Sequence, residues 1–291
     1  MSVLANKNTR VLIQGITGTQ ASFHVKRSIE SGTKVIAGIS PRHGGEEHLG
    51  VPLFDTIREA QRQFSFDASV LFVPANGVKS AVREAIEAEI PLIVSIAQGV
   101  PVHDMLEIKS MLNDSKTLMI GPNTPGLITP EEARLGIFPE NIHKKGSIGI
   151  ISRSSTLTYE AVLETGAAGL GQSTVIGLGD DMIVGSDFRI MLNLFMQDDD
   201  TKAVVLIGKA DNAYEILAAK YYASLSHKKP VIAFVAGEAL PYHNYNIGYA
   251  SDIITHGRIT VSDKKRIMRE AGMSVVDNIG QIHKILQELQ I

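Results

Sequence analysis

The chain has 291 residues, 44% hydrophobic and 20% charged, with a formal net charge of -3. That length suits two domains with a core each, and the charge gives no basic field that would advertise nucleic acid or an anionic membrane. There is no cysteine, which removes disulfides, thiolate catalysis and cysteine metal sites. The opening MSVLANKNTR lacks the apolar core of a signal peptide, and no apolar run approaches the ~18 residues of a membrane span, so a cytoplasmic or organelle-matrix protein is expected.

In chain order, short β-branched runs alternate with amphipathic segments. RVLIQGI (10–16), KVIAGIS (34–40), SVLFVPA (69–75), PLIVSIA (91–97) and TLMIGPN (117–123) read as strands. Between them lie helical patterns such as VKSAVREAIEAEI (78–90), with Val78, Val82, Ala85 and Ile86 on one face. A stretch at 127–145 is broken by proline and charge, shows no sustained period and reads as a linker. The alternation restarts with GSIGIIS (146–152), STVIGLG (173–179), AVVLIGK (203–209) and PVIAFVAG (230–237), and closes with SVVD (274–277) and a helical IGQIHKILQEL. This is the pattern of parallel sheets built from βαβ units. It predicts two doubly wound α/β domains in tandem, 1–128 and 146–291, joined by 129–145.

Such sheets bind ligands at the carboxyl ends of their strands, where helix N-termini present unpaired amides. The first of these turns, QGITGTQASFH (14–24), places Gly15, Gly18 and Ala21 as G-x-x-G-x-x-A, small residues that let a phosphate approach the backbone. The same pattern also suits a tight turn with no ligand. An NAD site expects an acid near the end of the second strand. Here that place reads SPRHGG (40–45), and Ser40, Arg42 and His43 suit a phosphorylated ribose, so NADP or coenzyme A fits better than NAD, the other reading being a solvated polar loop. GPNTPG (121–126) is a stiff turn that can put Asn123 beside a ligand. ISRSSTLTYEAV (151–162) leads a strand into a helix through hydroxyl residues, either an anion cradle or plain capping by Ser154 or Ser155. Asp180 and Asp181 are adjacent carboxylates with no nearby histidine, which suits a turn better than a metal site, and no metal is expected.

With GQST (171–174), GSDF (185–188) and HLGVPLFDTIREA (48–60), these segments resemble, nearly end to end, the alpha subunit of succinyl-CoA synthetase, of the NDP-forming acyl-CoA ligases. The resemblance implies a Rossmann-like CoA-binding domain followed by a flavodoxin-like ligase domain. It also implies a beta-type ATP-grasp partner, through which alone ATP or GTP would be used, and a small carboxylate or acyl-CoA as substrate. In that family a histidine of the alpha subunit carries the phosphoryl group to the carboxylate, and CoA then displaces it. By motif, Gly15, Thr17, Gly18, Thr19, Gln20, His43, Val73, Pro74 and Asn123 would contact CoA, and Ser154, Ser155 and Thr156 would cradle phosphate.

Against that pattern the sequence departs at the chemistry itself. Where the family has Gly-His-Ala-Gly around its nucleophile, this chain reads Gly248, Tyr249, Ala250, Ser251. Where the family's IGE supplies a glutamate that supports the histidine, it reads Ile207, Gly208, Lys209. Other departures are Ser155 for a glycine, Thr124 for a cysteine, Gln98 for a glutamate, and GDDM (179–182) for a GGDP-like turn. A phenol of pKa ~10 is ionised to about one part in a thousand at pH 7 and forms a stable phosphate ester, so Tyr249 is not expected to carry phosphoryl. A histidine restored at 249 alone would face the Lys209 ammonium. The expectation is a CoA-binding alpha-type subunit whose phosphohistidine step is lost or altered. The alternative is an active ligase subunit using direct phosphoryl transfer or another histidine, His243 or His256.

Overall fold

The computed structural model describes residues 3–238 and 260–291. The described chain divides into two compact units, one of residues 4–140 and 183–186, the other of the remaining residues.

In the first unit, strands β1 (Arg10–Gln14) and β2 (Lys34–Ile39) flank helix α1 (Thr19–Glu30) in sequence. The two-residue β3 (Glu47–His48) and β4 (Val51–Phe54) follow, then α2 (Ile57–Ala60), β5 (Ala68–Leu71), α3 (Val78–Glu87), β6 (Leu92–Ser95), α4 (Val102–Asn113) and β7 (Leu118–Ile120). The sheet order is β3-β4-β2-β1-β5-β6-β7. Apart from the antiparallel β3 edge, this is the 3-2-1-4-5-6 order of a Rossmann sheet, with its switch point between β1 and β5. The central strands are covered on both faces, and Leu12, Leu71 and Ile93 have no exposed surface, which is why they read as unbroken apolar runs rather than alternations. Of the helical face foreseen at 78–90, Val78, Val82 and Ala85 are buried. The helix stops at Glu87 because Glu89 turns to φ 54°. The Ile90 amide then donates to the Ala85 carbonyl at 3.0 Å, a left-handed helix end with glutamate in place of the usual glycine.

The segment 129–145 differs from the linker foreseen for it. Strands β8 (Gly126–Thr129) and β9 (Ala133–Gly136) form an antiparallel hairpin, and Leu135 and Phe138 are fully buried. Arg134, itself 3% exposed, donates to the His24 carbonyl at 2.8 Å and to Ser28 Oγ at 2.9 Å, tying the hairpin to α1. Prolines and charges hid this in the sequence, since the period of a four-residue strand is too short to register.

Burial, followed by the Arg134 and Arg27 charges, pushes the His24 imidazole below its ordinary pKa. The unfolded chain therefore takes the proton first. The contribution is complete above the unfolded value of about 6.5 and is lost as pH falls through that value and then through the folded one. Urea unfolding should show stability declining from pH 7 to pH 5, and His24→Asn, which keeps an acceptor toward Arg134, should flatten that decline. An unchanged slope would show that His24 is not its source.

The second unit runs β10 (Lys145–Ser152), α5 (Ser155–Ala167), β11 (Gln172–Gly177), α6 (Phe188–Gln197), β12 (Ala203–Gly208), α7 (Tyr214–Ser224), β13 (Val231–Val235), α8 (Val261–Glu270), β14 (Ser274–Val276) and α9 (Ile282–Glu288). These strands are parallel in the order β14-β13-β12-β10-β11. Renumbered, that is the flavodoxin-like 2-1-3-4-5 order, whose switch point lies between β10 and β12. All six residues of β12 are buried. Among the described residues no helix is long and apolar enough to cross a membrane.

Candidate functional site: the strand ends of the two sheets

At the switch point of the first sheet, β1 leaves through Gly15, whose φ of 81° favours glycine. A Cβ there would stand 2.7 Å from the Phe72 carbonyl oxygen, so only glycine lets the turn pass this close beneath the β5 end. The turn closes with the Gly18 amide donating to the Gly15 carbonyl at 3.2 Å. Gly18 is also the N-cap of α1 and provides no side-chain cap, which leaves the first amides of a 12-residue helix to an outside acceptor. Thr17, Gly18, Thr19 and Gln20 are exposed there. The Thr17 and Ser40 hydroxyls lie 2.8 Å apart, linking the β1 and β2 ends. No acid follows β2 directly. Arg42 is exposed at φ 73°, and the His43 ring, also exposed, is 3.0 Å from Glu46. Ser22 Oγ lies 2.7 Å from His48 Nε2, a contact between α1 and the β3 edge that no local pattern in the sequence foretells. Val73 and Pro74 follow β5, Val73 half-buried and Pro74 exposed. Asn123 follows β7, at φ 57° with its amide donating to the Ala97 carbonyl at 2.7 Å. The CoA-contact residues foreseen in the first unit therefore lie beyond the carboxyl ends of β1, β2, β5 and β7, in the connecting turns or, for Thr19 and Gln20, at the start of α1.

In the second unit, Ser152 ends β10 and Ser154 caps α5, its Oγ accepting from the Leu157 amide at 3.4 Å. Capping thus occupies Ser154, while Ser155 and Thr156 open the first turn, where amides precede the first intrahelical bond. Between them and the strand sits Arg153, buried to 1%. Its Nη1 donates to both Asp211 oxygens at 2.9 and 3.1 Å, and Nη2 donates to the Asp181 carbonyl at 2.8 Å. Its Nε is buried without a partner. Lys209, beyond β12, donates from Nζ to Asp180 Oδ1 at 2.5 Å. Its peptide is gripped at both ends: the amide donates to Glu215 Oε1 at 3.0 Å, and Lys264 Nζ donates to the carbonyl at 2.6 Å. Lys264 and Glu215 form a buried ion pair at 2.9 Å, 1% and 0% exposed. A Cβ on Gly208 would fall 2.5 Å from Glu215 Cγ, so the glycine before Lys209 makes room for this pair.

Sequence reasoning singles out Lys209 and the 179–182 turn separately, and it misses Arg153, Asp211, Glu215 and Lys264. The lone arginine at the end of β10 is the available signal for Arg153. Tyr249, His243 and His256 lie outside the described residues. Among the described residues no group of three side chains is placed to ligate a metal ion.

Fold and strand-end turns define a class, a Rossmann-like CoA-binding domain followed by a flavodoxin-like ligase domain. Family models agree, with a CoA-binding domain matching residues 6–99 and a CoA-ligase domain matching 151–277. The chain is 42% identical over 289 residues to the ADP-forming succinate–CoA ligase subunit alpha 2 of Archaeoglobus fulgidus, covering 99% of this chain and 100% of that one. It is 40% identical over 288 residues to the corresponding alpha subunit of Staphylococcus aureus, covering 99% and 95%. The chain belongs to the succinate–CoA ligase alpha-subunit family. Among solved structures the fold is shared with ATP citrate lyase from Methanothrix soehngenii, at a TM-score of 0.87 and 21% identity over 99% of this chain and 50% of that one. It is also shared with the dinucleotide-forming acetyl-coenzyme A synthetase 1 of Ca. Korarchaeum cryptofilum, at 0.75 and 17% over 95% and 59%. This chain thus spans about half the length of the first of these and under two thirds of the second.

Proposed function

We propose that this chain is the alpha-type subunit of an NDP-forming acyl-CoA synthetase acting in the cytoplasm or an organelle matrix, with a phosphohistidine step that is lost or altered. Residues 1–128, with the β8–β9 hairpin tied to α1, bind CoA, and 146–291 form the ligase half. Gly15, Thr17, Gly18, Thr19 and Gln20 hold the CoA phosphates, His43 approaches the phosphorylated ribose, and Val73, Pro74 and Asn123 border the ligand. Ser154, Ser155 and Thr156 cradle a phosphoryl group at the start of α5. ATP or GTP enters only through an ATP-grasp beta subunit, and the acyl substrate is a small carboxylate. The observation that carries the CoA reading is the Gly15 turn beneath an α1 N-terminus with no side-chain cap, beside a β2 end that offers Ser40 and Arg42 and no acid.

Calorimetry of the purified chain tests it. CoA should bind, and dephospho-CoA should bind about 10- to 100-fold more weakly, the range set by losing a hydrogen bond to a charged group worth about 1.5–3 kcal/mol. Preferential binding of NAD, or tight ATP binding without a partner, would contradict the reading.

A further inference from the structure

Strand β10 lies between β11 and β12, and Arg153 is the first residue beyond it. Its guanidinium bonds both neighbouring exits at once. Nη1 donates to the two Asp211 oxygens at 2.9 and 3.1 Å, in the loop after β12, and Nη2 donates to the Asp181 carbonyl at 2.8 Å, in the loop after β11. The Arg153 amide adds a bond to the Ile207 carbonyl of β12 at 3.0 Å. Around it the chain closes on itself, for Ser152 Oγ accepts from the Ser154 amide at 3.0 Å and donates to the Ser154 carbonyl at 2.9 Å. Ser154 is the N-cap of α5, so one side chain ties three strand exits to the point where that helix begins.

We infer that Arg153 is a positioning residue: by holding the loops after β11 and β12 to the residue before the α5 N-cap, it fixes where the first turn of α5 presents its amides to an anion. The inference rests on the reading of Ser154–Thr156 as a phosphate cradle. The side chains of Arg153 and Asp211 are 0% and 3% exposed, and their charges neutralise each other, so the pair supplies position rather than field. A strand end held for stability alone could use apolar packing, which often equals or exceeds a buried ion pair. Here a guanidinium is kept out of water although its Nε finds no partner. That cost is explained by the planar fork, which bonds in two directions at fixed angles as neither an apolar side chain nor the compact ammonium of lysine can.

The test is titration calorimetry of the full chain with inorganic phosphate, at fixed ionic strength and at a temperature where every variant is folded. Arg153→Lys keeps the charge and loses the fork, and phosphate affinity should fall about tenfold, because donors displaced from their set geometry lose much of their hold on an anion. Arg153→Met with Asp211→Asn removes both charges and leaves neither unpaired. It should show a similar loss, and it keeps the test open if Arg153→Lys folds poorly. Wild-type affinity in Arg153→Lys would show that the charge suffices and overturn the inference. Wild-type affinity in the double variant, with only its unfolding midpoint lowered, would reduce Arg153 to a structural tie and overturn it as well. Ser155→Pro removes the first amide of α5 at a position where proline suits a helix, after a Ser154 in extended backbone, and should weaken phosphate binding. If it does so while the Arg153 variants bind as the wild type does, the cradle reading stands and only the positioning role falls. Unchanged binding by Ser155→Pro, or no phosphate binding by the wild type, would overturn both.

Discussion

Replacing Glu215 with alanine should lower the unfolding free energy by about 3–5 kcal/mol, the cost of breaking a buried ion pair from one side. Glu215 and Lys264 are almost wholly out of water, so the lysine would be left as a buried charge facing a cavity. The Lys209 amide would also lose its acceptor. Lys264 keeps one partner, the Lys209 carbonyl at 2.6 Å, which places the expected value toward the lower end of the range. Removing both charges together, as Glu215→Leu with Lys264→Met, should recover part of the loss, because an apolar pair of similar volume avoids the desolvation cost while the Lys209 amide and carbonyl still lose their side-chain partners. Urea unfolding of the single and double variants measures this. A loss below about 1 kcal/mol for Glu215→Ala would show that the pair does not hold the β12 end.

A histidine placed at position 249 should not take up phosphoryl by itself. From sequence alone, exchanging a supporting glutamate for the Lys209 ammonium would oppose imidazolium formation by several kcal/mol, since unit charges ~4–6 Å apart interact by roughly 3–4 kcal/mol at an effective dielectric near 20. The structure changes the balance. The Lys209 charge is compensated by Asp180, so direct repulsion is smaller, but the carboxylate that would fix the histidine's tautomer and stabilise its cation is still missing from position 209. Lys209→Glu does not simply restore it. The new carboxylate would stand against Asp180, and two carboxylates sharing a site raise one pKa strongly, so one of them would take a proton rather than support an imidazolium. Tyr249→His alone and Tyr249→His with Lys209→Glu should both fail to form phosphohistidine in a phosphorylation assay. The triple change including Asp180→Gly is the smallest set expected to succeed, with Ser155→Gly added if the cradle must be widened.

Much of the fold was legible because parallel strands buried on both faces leave continuous apolar runs: RVLIQ for β1 and AVVLIG for β12 begin where the sequence placed them. The β4 strand VPLF was seen only as part of a family-like segment, since four residues containing a proline carry little strand signal. The β8–β9 hairpin was missed because two four-residue strands, GLIT and ARLG, are too short to show a period. At the first sheet, the Gly15 turn was legible because only glycine suits both its φ and its distance from Phe72. At the second sheet, the ion pairs were not legible. Arg153 with Asp211, Glu215 with Lys264 and Asp180 with Lys209 are separated by 58, 49 and 29 residues. No local period links such partners; only the order of the strands brings them together.

The most direct test is to incubate the wild-type chain with the ATP-grasp beta subunit proposed for it, γ-labelled ATP and CoA, and to assay the chain for acid-labile, base-stable phosphate. CoA is expected to bind and no such phosphate to form. Acid-labile label on the chain, mapped to His243 or His256, would contradict a lost phosphohistidine step and establish a ligase that has moved its nucleophile.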